Sequence, residues 1–142
     1  MRKFLDLYEA PQTIVFAFGR FNPPTTGHEK LISKVASIAG SNPYRIYPSF
    51  TTNPKKDPLP HSLKVAYMRK MFPKHRKNII ADNKMKTAIF VAEALYKEGF
   101  KNLIMVAGSD RVKEFSELLT RYNDAPDKQG KQLFKFDSVK VV

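Results

Sequence analysis

Residues 19–28 read Gly-Arg-Phe-Asn-Pro-Pro-Thr-Thr-Gly-His, and they follow the apolar run 13–18 without a break. Such a junction suits phosphate oxygens. Where a strand stops at Gly19 and a helix starts near Gly27 or His28, unpaired backbone N–H groups and the positive end of a helix dipole face one hollow. Gly19 lets backbone come close to a ligand, while Pro23 and Pro24 fix the path of the turn at little entropic cost. Thr25 and His28 are three apart, so on a first helical turn a hydroxyl and an imidazole point to one side and can grip the same anion. The helix N-terminus disfavours a second proton on that ring, which leaves a neutral imidazole able to donate one hydrogen bond.

Those residues need a scaffold, and the chain supplies one in strand-like and helix-like stretches that alternate at the spacing of βα units. Residues 13–18 read as the first strand. Residues 29–38 read as the first helix, with Leu31, Ile32, Val35, Ala36 and Ile38 in a stripe of helical period. Residues 45–50 are a second strand. Residues 51–60 hold three of the ten prolines together with Asn53 and Asp57, and read as a loop; 62–71 then form a helix closed off before Pro73. A short strand follows at 78–81. Thr87 is placed to cap a helix running to about Lys97, with Ile89, Phe90, Ala92, Ala94 and Leu95 towards a core and Gly99 at the C′ position.

Residues 103–107 make a buried strand that Gly108 breaks, and 111–119 continue as helix. This gives a second strand-turn-helix junction, with Ser109 and Asp110 at its lip. Residues 122–132 read as a polar linker and 133–142 as an alternating final strand, in which Phe134 and Phe136 are core rather than base-stacking platforms. The expected fold is therefore α/β: a Rossmann-like, doubly wound, mostly parallel five-stranded sheet with helices on both faces. Open sheets of this kind bind ligands beyond the carboxyl ends of their strands, so the two junctions can share one crevice. Residues 1–12, with Phe4, Leu5, Leu7 and Tyr8, form an N-terminal arm or short helix, and 13–142 one domain.

The formal net charge of +12, from 25 Lys and Arg against 13 Asp and Glu, favours anionic partners. Nucleic acid is the generic reading of such a surplus, but the cations are spread along the chain and no helix-turn-helix, zinc-finger or RNP pattern appears. A nucleoside triphosphate with a phosphorylated small molecule fits the charge equally. The absence of cysteine excludes a disulfide frame and thiolate chemistry, and agrees with a reducing cytoplasm. No signal-peptide pattern and no run long enough to span a bilayer is present, so a soluble protein with no membrane role is expected. His61 and His75 each stand alone among basic or polar neighbours and read as surface histidines outside any metal-ligand spacing.

The ordered set Gly-Arg-Phe-x-Pro-x-Thr-x-Gly-His after a strand resembles the opening motif of the HxGH and TxGH nucleotidyltransferases, which include nicotinamide-mononucleotide, pantetheine-phosphate and nicotinate-mononucleotide adenylyltransferases and glycerol-phosphate cytidylyltransferases. Thr25 stands where the commoner form has its first histidine, as in the pantetheine-phosphate branch. The resemblance implies a nucleotide-binding loop of Gly19, Arg20, Phe21, Asn22, Pro23, Gly27 and His28, with His28, Thr25 and Arg20 taking part in catalysis. The string Asn53-Pro54-Lys55-Lys56-Asp57-Pro58 resembles the lysine-bearing loop of pantetheine-phosphate enzymes. It implies that Lys56 is catalytic, and that Lys55, Lys56 and Arg69 bind substrate. Gly108-Ser109-Asp110-Arg111 resembles a turn that lies against the nucleotide, Asp110 accepting from a ribose hydroxyl and Arg111 holding a phosphate; as plain structure, Ser109 and Asp110 would cap and favour the following helix.

The chemistry so implied is in-line attack of an acceptor phosphate on the α-phosphorus of ATP or CTP, with Mg²⁺ carried on the triphosphate and pyrophosphate leaving. Adenylyl transfer is favoured over cytidylyl transfer, and a homo-oligomer is compatible with it. The family's last signature, a serine- and arginine-bearing segment over the triphosphate, does not occur in these residues. The apolar alternation that runs to Val142 suggests truncation just before it. Two alternatives remain open: a catalytically weakened structural or regulatory protein, and a basic nucleic-acid-binding domain of the same fold. Arg20 and the Gly-Ser-Asp turn lean towards nicotinamide-mononucleotide enzymes, whereas Thr25 and the Lys55-Lys56 loop lean towards pantetheine-phosphate enzymes.

Overall fold

The computed structural model describes residues 12–19, 21, 26–49, 61–82, 84–123 and 132–142, with the backbone alone at Thr26, Gly27 and His61. Arg20, Asn22, Pro23, Thr25, the loop holding Lys55 and Lys56, the N-terminal arm and most of the linker after Tyr122 lie outside the described residues, as does the side chain of His61.

The β-branched and aromatic residues of the strand-like runs are gathered into one sheet. Strand β1 (Thr13–Gly19) is central. It pairs in parallel with β2 (Tyr44–Pro48) on one side and β3 (Asn102–Met105) on the other, and β3 pairs in parallel with β4 (Ser138–Val141), giving the order β2-β1-β3-β4. Burial on both faces of β1 leaves Ile14, Val15, Phe16 and Ala17 without solvent contact, as expected of a parallel strand covered above and below.

Helix α1 (Thr26–Ala39) and helix α2 (His61–Met71) cover one face. There Ile32, Val35, Val65 and Met68 pack on Val15, Ala17, Ile46 and Val106. Helix α3 (Ala88–Lys97) and helix α4 (Val112–Tyr122) cover the other, where Val91, Ala92, Leu95 and Leu119 pack on Ile14, Phe16, Leu103 and Met105 together with Phe134 and Phe136. The doubly wound, Rossmann-like arrangement with helices on both faces is thus present. Each fully buried side chain of this size contributes roughly 1.5–3 kcal/mol.

The sheet has four strands where five were expected. Pro73–Asn78 winds into a 3₁₀ helix with the proline at its start, which takes Asn78 from the expected strand. What is left is a single parallel bridge from Ile79 to Ile46, with the Ile80 N–H donating to the Ile46 carbonyl at 2.8 Å. The last strand is also shorter than the alternation implied. Ahead of it, Asn123 clamps the chain, its side-chain oxygen accepting from Phe136 N–H at 2.8 Å and its amide donating to the Phe136 carbonyl at 3.2 Å. Phe134 and Phe136 are buried all the same.

Local signals in α3 held. Thr87 Oγ1 accepts from the Phe90 N–H at 3.3 Å, and Gly99 takes φ 106° just past the helix. Phe90, expected to face the core, is exposed, because Ala88, Val91, Ala92 and Leu95 already fill the inward stripe and residue 90 lies on the opposite side of the turn. His75 is not a free surface histidine either: Tyr44 Oη and His75 Nδ1 are 2.8 Å apart, since the 3₁₀ turn folds the ring back on β2.

Candidate active site

Between β1 and β3 the chain reverses its direction of winding, and beyond the carboxyl ends of these two strands lies a cavity of about 660 Å³. This is where an open α/β sheet leaves a crevice. β1 delivers Phe18 and Gly19, and the chain beyond it delivers Phe21; β3 is followed by Val106, Ala107 and Gly108. The cavity is walled further by His28 and Leu31 of α1, Arg111 and Phe115 at the start of α4, Lys86 just before α3, and Ser49 after β2. α1 and α4 therefore present their N-terminal ends to the hollow, with Lys86 just ahead of α3 beside them, and the unpaired amides and dipoles of those ends favour negative charge there. Among the described residues the lining holds the cations Lys86 and Arg111 and no carboxylate.

The first junction is tightly built. Phe21 is buried and has φ 48°, a left-handed conformation that costs a side-chain-bearing residue energy and is held only by its surroundings. Its ring lies so close to Gly19 that a Cβ there would stand 3.2 Å from Phe21 Cε2. A side chain at position 19 would therefore press on the buried Phe21 ring. On its other side the Phe21 ring meets His28 edge-on, with centroids 4.8 Å apart. Burial pushes the His28 pKa below the ordinary histidine value, so the ring is neutral at neutral pH. Gly27 is the residue before it, in the first turn of α1.

The second junction is open. Gly108, Ser109, Asp110 and Arg111 are all exposed, and the Arg111 N–H donates to the Gly108 carbonyl at 2.8 Å to close the turn. The Arg111 guanidinium is engaged by Glu114, with Nε–Oε2 2.8 Å and Nη2–Oε1 3.2 Å, and lies 4.8 Å from the Phe115 ring centroid. A phosphate would have to compete with that carboxylate.

Of the residues singled out from the sequence, Gly19, Phe21, His28, Gly108 and Arg111 come together at the cavity. Ser109 and Asp110 stay in the turn, outside its lining. Arg69 is elsewhere, its Nη2 donating to the Ile79 carbonyl at 2.8 Å, where it secures the residual fifth-strand bridge. Lys86, Ser49 and Leu31 were not anticipated. Lys86 had one available signal, its place directly before the Thr87 cap. Among the described residues no group of three or more His, Cys, Asp or Glu is arranged to hold a metal ion, and no helix is long and apolar enough to cross a membrane.

Residues 16–137 match the protein family described as Cytidylyltransferase-like. A "Probable nicotinate-nucleotide adenylyltransferase" of Sulfurimonas denitrificans is 30% identical over 107 residues, which cover 70% of this chain but only 58% of that relative's length. The family match starts within β1, takes in β2, β3 and both junctions, and stops just before β4, and the chain belongs to the cytidylyltransferase-like nucleotidyltransferase family.

Proposed function

We propose that the protein transfers an adenylyl group from ATP to a small phosphorylated acceptor, releasing pyrophosphate. The observation that carries this reading is the switch-point cavity itself, which joins a neutral His28, the cations Lys86 and Arg111 and the N-termini of α1 and α4 around one hollow without a carboxylate among the described lining residues. An acceptor phosphate oxygen forms a bond to the α-phosphorus, the bond from that phosphorus to the bridging oxygen of pyrophosphate breaks, and no covalent enzyme intermediate is needed.

Negative charge moves towards the leaving group as the bond breaks. His28 would donate a hydrogen bond to a phosphate oxygen, Gly19 and the loop amides would lie against the same tail, and Lys86 and Arg111 would neutralise it. Donors placed where charge develops lower the barrier by a few kcal/mol each. Arg20, Thr25 and Lys56 are assigned to the same catalytic task, with Asn22, Pro23 and Gly27 shaping the loop, Asp110 and Ser109 towards the ribose, and Lys55 towards the acceptor; Arg69, bonded to the Ile79 carbonyl, is left out of the acceptor site. Mg²⁺ brought in with the triphosphate would supply further charge neutralisation beside Lys86 and Arg111. A cytoplasmic location suits such substrates.

ATP is preferred over CTP, and a pyridine mononucleotide over pantetheine phosphate, because the relative from Sulfurimonas denitrificans is described as a nicotinate-nucleotide adenylyltransferase. The test is pyrophosphate release from each nucleoside triphosphate with nicotinate mononucleotide, nicotinamide mononucleotide, pantetheine phosphate and glycerol phosphate in turn. Release with ATP and a pyridine mononucleotide is expected, and His28→Ala should slow it about 10²–10³-fold. Release that His28→Ala leaves unchanged would remove the imidazole from the mechanism.

A further inference from the structure

Among the described residues the polar side chains that are buried belong to Ser49 and Lys64, and the two residues are bonded to each other. Lys64, on the inner side of α2, donates from Nζ to the Ser49 carbonyl at 2.9 Å. The Ser49 N–H donates in turn to the Gly19 carbonyl at 2.7 Å. Gly19 and Ser49 both line the switch-point cavity, whereas Lys64 stands behind them. Withdrawing an ammonium from water is costly. Beside Val65 and Met68 an apolar side chain would occupy the same place without that cost, so the lysine has to supply something that such a side chain cannot.

We infer that Lys64 is a positioning residue for the polyphosphate pocket: its ammonium fixes the Ser49 carbonyl, and through Ser49 the Gly19 end of β1, against which the nucleotide's phosphates lie. It acts through that rung and not by touching substrate. The rung joins the ends of β1 and β2 where ladder pairing stops, Gly19 and Pro48 being the last residues in register. Beyond the end of the ladder the Lys64 side chain adds an anchor to the backbone bond from Ser49 N–H to the Gly19 carbonyl. The inference rests on the nucleotidyl-transfer reading for its turnover measurement but not for its structural one.

Lys64→Met keeps the length of the side chain and removes the ammonium, so the Ser49 carbonyl loses that donor. Lys64→Arg keeps charge and donors. In the full chain, Lys64→Met should turn over roughly 10- to 100-fold more slowly, with the loss in kcat and only about a twofold change in KM for ATP, while Lys64→Arg returns to within about threefold of the parent. Hydrogen exchange at the Ser49 amide should quicken in Lys64→Met and recover in Lys64→Arg. Turnover of Lys64→Met equal to that of the parent, or unchanged exchange at Ser49, would overturn the inference.

If Lys64→Met does not fold, Lys64→Gln retains a donor without the charge, and the same two readings apply to it: quicker Ser49 exchange with slowed turnover supports the role, parental values overturn it. A parent protein that releases no pyrophosphate with any acceptor would remove the nucleotidyl-transfer reading instead. The Ser49 amide then still decides for or against Lys64.

Discussion

The two strand-turn-helix junctions that meet at the cavity are built in opposite ways. At the end of β1 the described residues are packed, with Phe21 in a left-handed conformation between Gly19 and a half-buried His28. After β3 the turn is exposed and charged, with Arg111 shared between Glu114 and the Phe115 ring. One side fixes a neutral donor in place and the other offers a charge that can be redirected. For phosphoryl chemistry that division is economical, because geometry matters most where charge develops and attraction alone suffices at the periphery.

The contrast is broken most severely at Phe21. Phe21→Ala empties a buried site while leaving residue 21 to hold a positive φ, so a loss of about 3–5 kcal/mol in unfolding free energy is expected by urea titration. Next come the two glycines. A Cβ on Gly19 meets the buried Phe21 ring at 3.2 Å, whereas one on Gly108 meets only the movable Asp110 Oδ1 at 3.0 Å. Gly19→Ala should therefore cost about 1–3 kcal/mol and Gly108→Ala less than about 0.5 kcal/mol, compared by the same titration. Equal costs would mean that the first junction is no tighter than the second.

Acid separates the junctions further, since only the first carries a histidine whose pKa is lowered by burial. With the folded pKa below the unfolded value of about 6.5, the native state binds fewer protons in that window, so this contribution is complete above it and is lost as pH falls through the folded pKa. Thermal melts should show Tm declining in that range, with a shallower decline in His28→Asn. His75, also lowered by burial, supplies the remaining slope. The smallest effect belongs to the exposed pair: Glu114→Gln should tighten ATP binding about twofold while changing stability by less than about 0.5 kcal/mol.

Much of this was legible because the signals are local. Gly19 and His28 mark the end of β1 and the start of α1 whatever the rest of the chain does, and Thr87 and Gly99 mark the ends of α3 by chemistry confined to one turn. Long-range packing decided what failed. The sequence around Ile79 reads as a strand, but the 3₁₀ helix begun at Pro73 runs through Asn78 and leaves a single bridge at Ile79, and Phe90 joins the inward side only if Val91 and Leu95 leave room. Lys64 reads as one more charge on a weakly amphipathic helix. Nothing nearby in sequence indicates that the Ser49 carbonyl waits for it across the fold. The alternation at residues 133–137 predicted burial of Phe134 and Phe136 correctly but not the Asn123 clamp, because a side chain from another element supplies those hydrogen bonds.

The central claim is that the hollow between β1 and β3 holds the phosphates of a nucleotide. Titrating the ¹⁵N-labelled full chain with Mg²⁺ and ATP, followed by amide chemical shifts, reads this residue by residue. The account predicts saturable shifts at Gly19, Phe21, His28, Gly108 and Arg111, with little change at Leu63 and Tyr67 on the outer side of α2. Shifts centred on α2, or no saturable shift at Gly19 and His28, would contradict it.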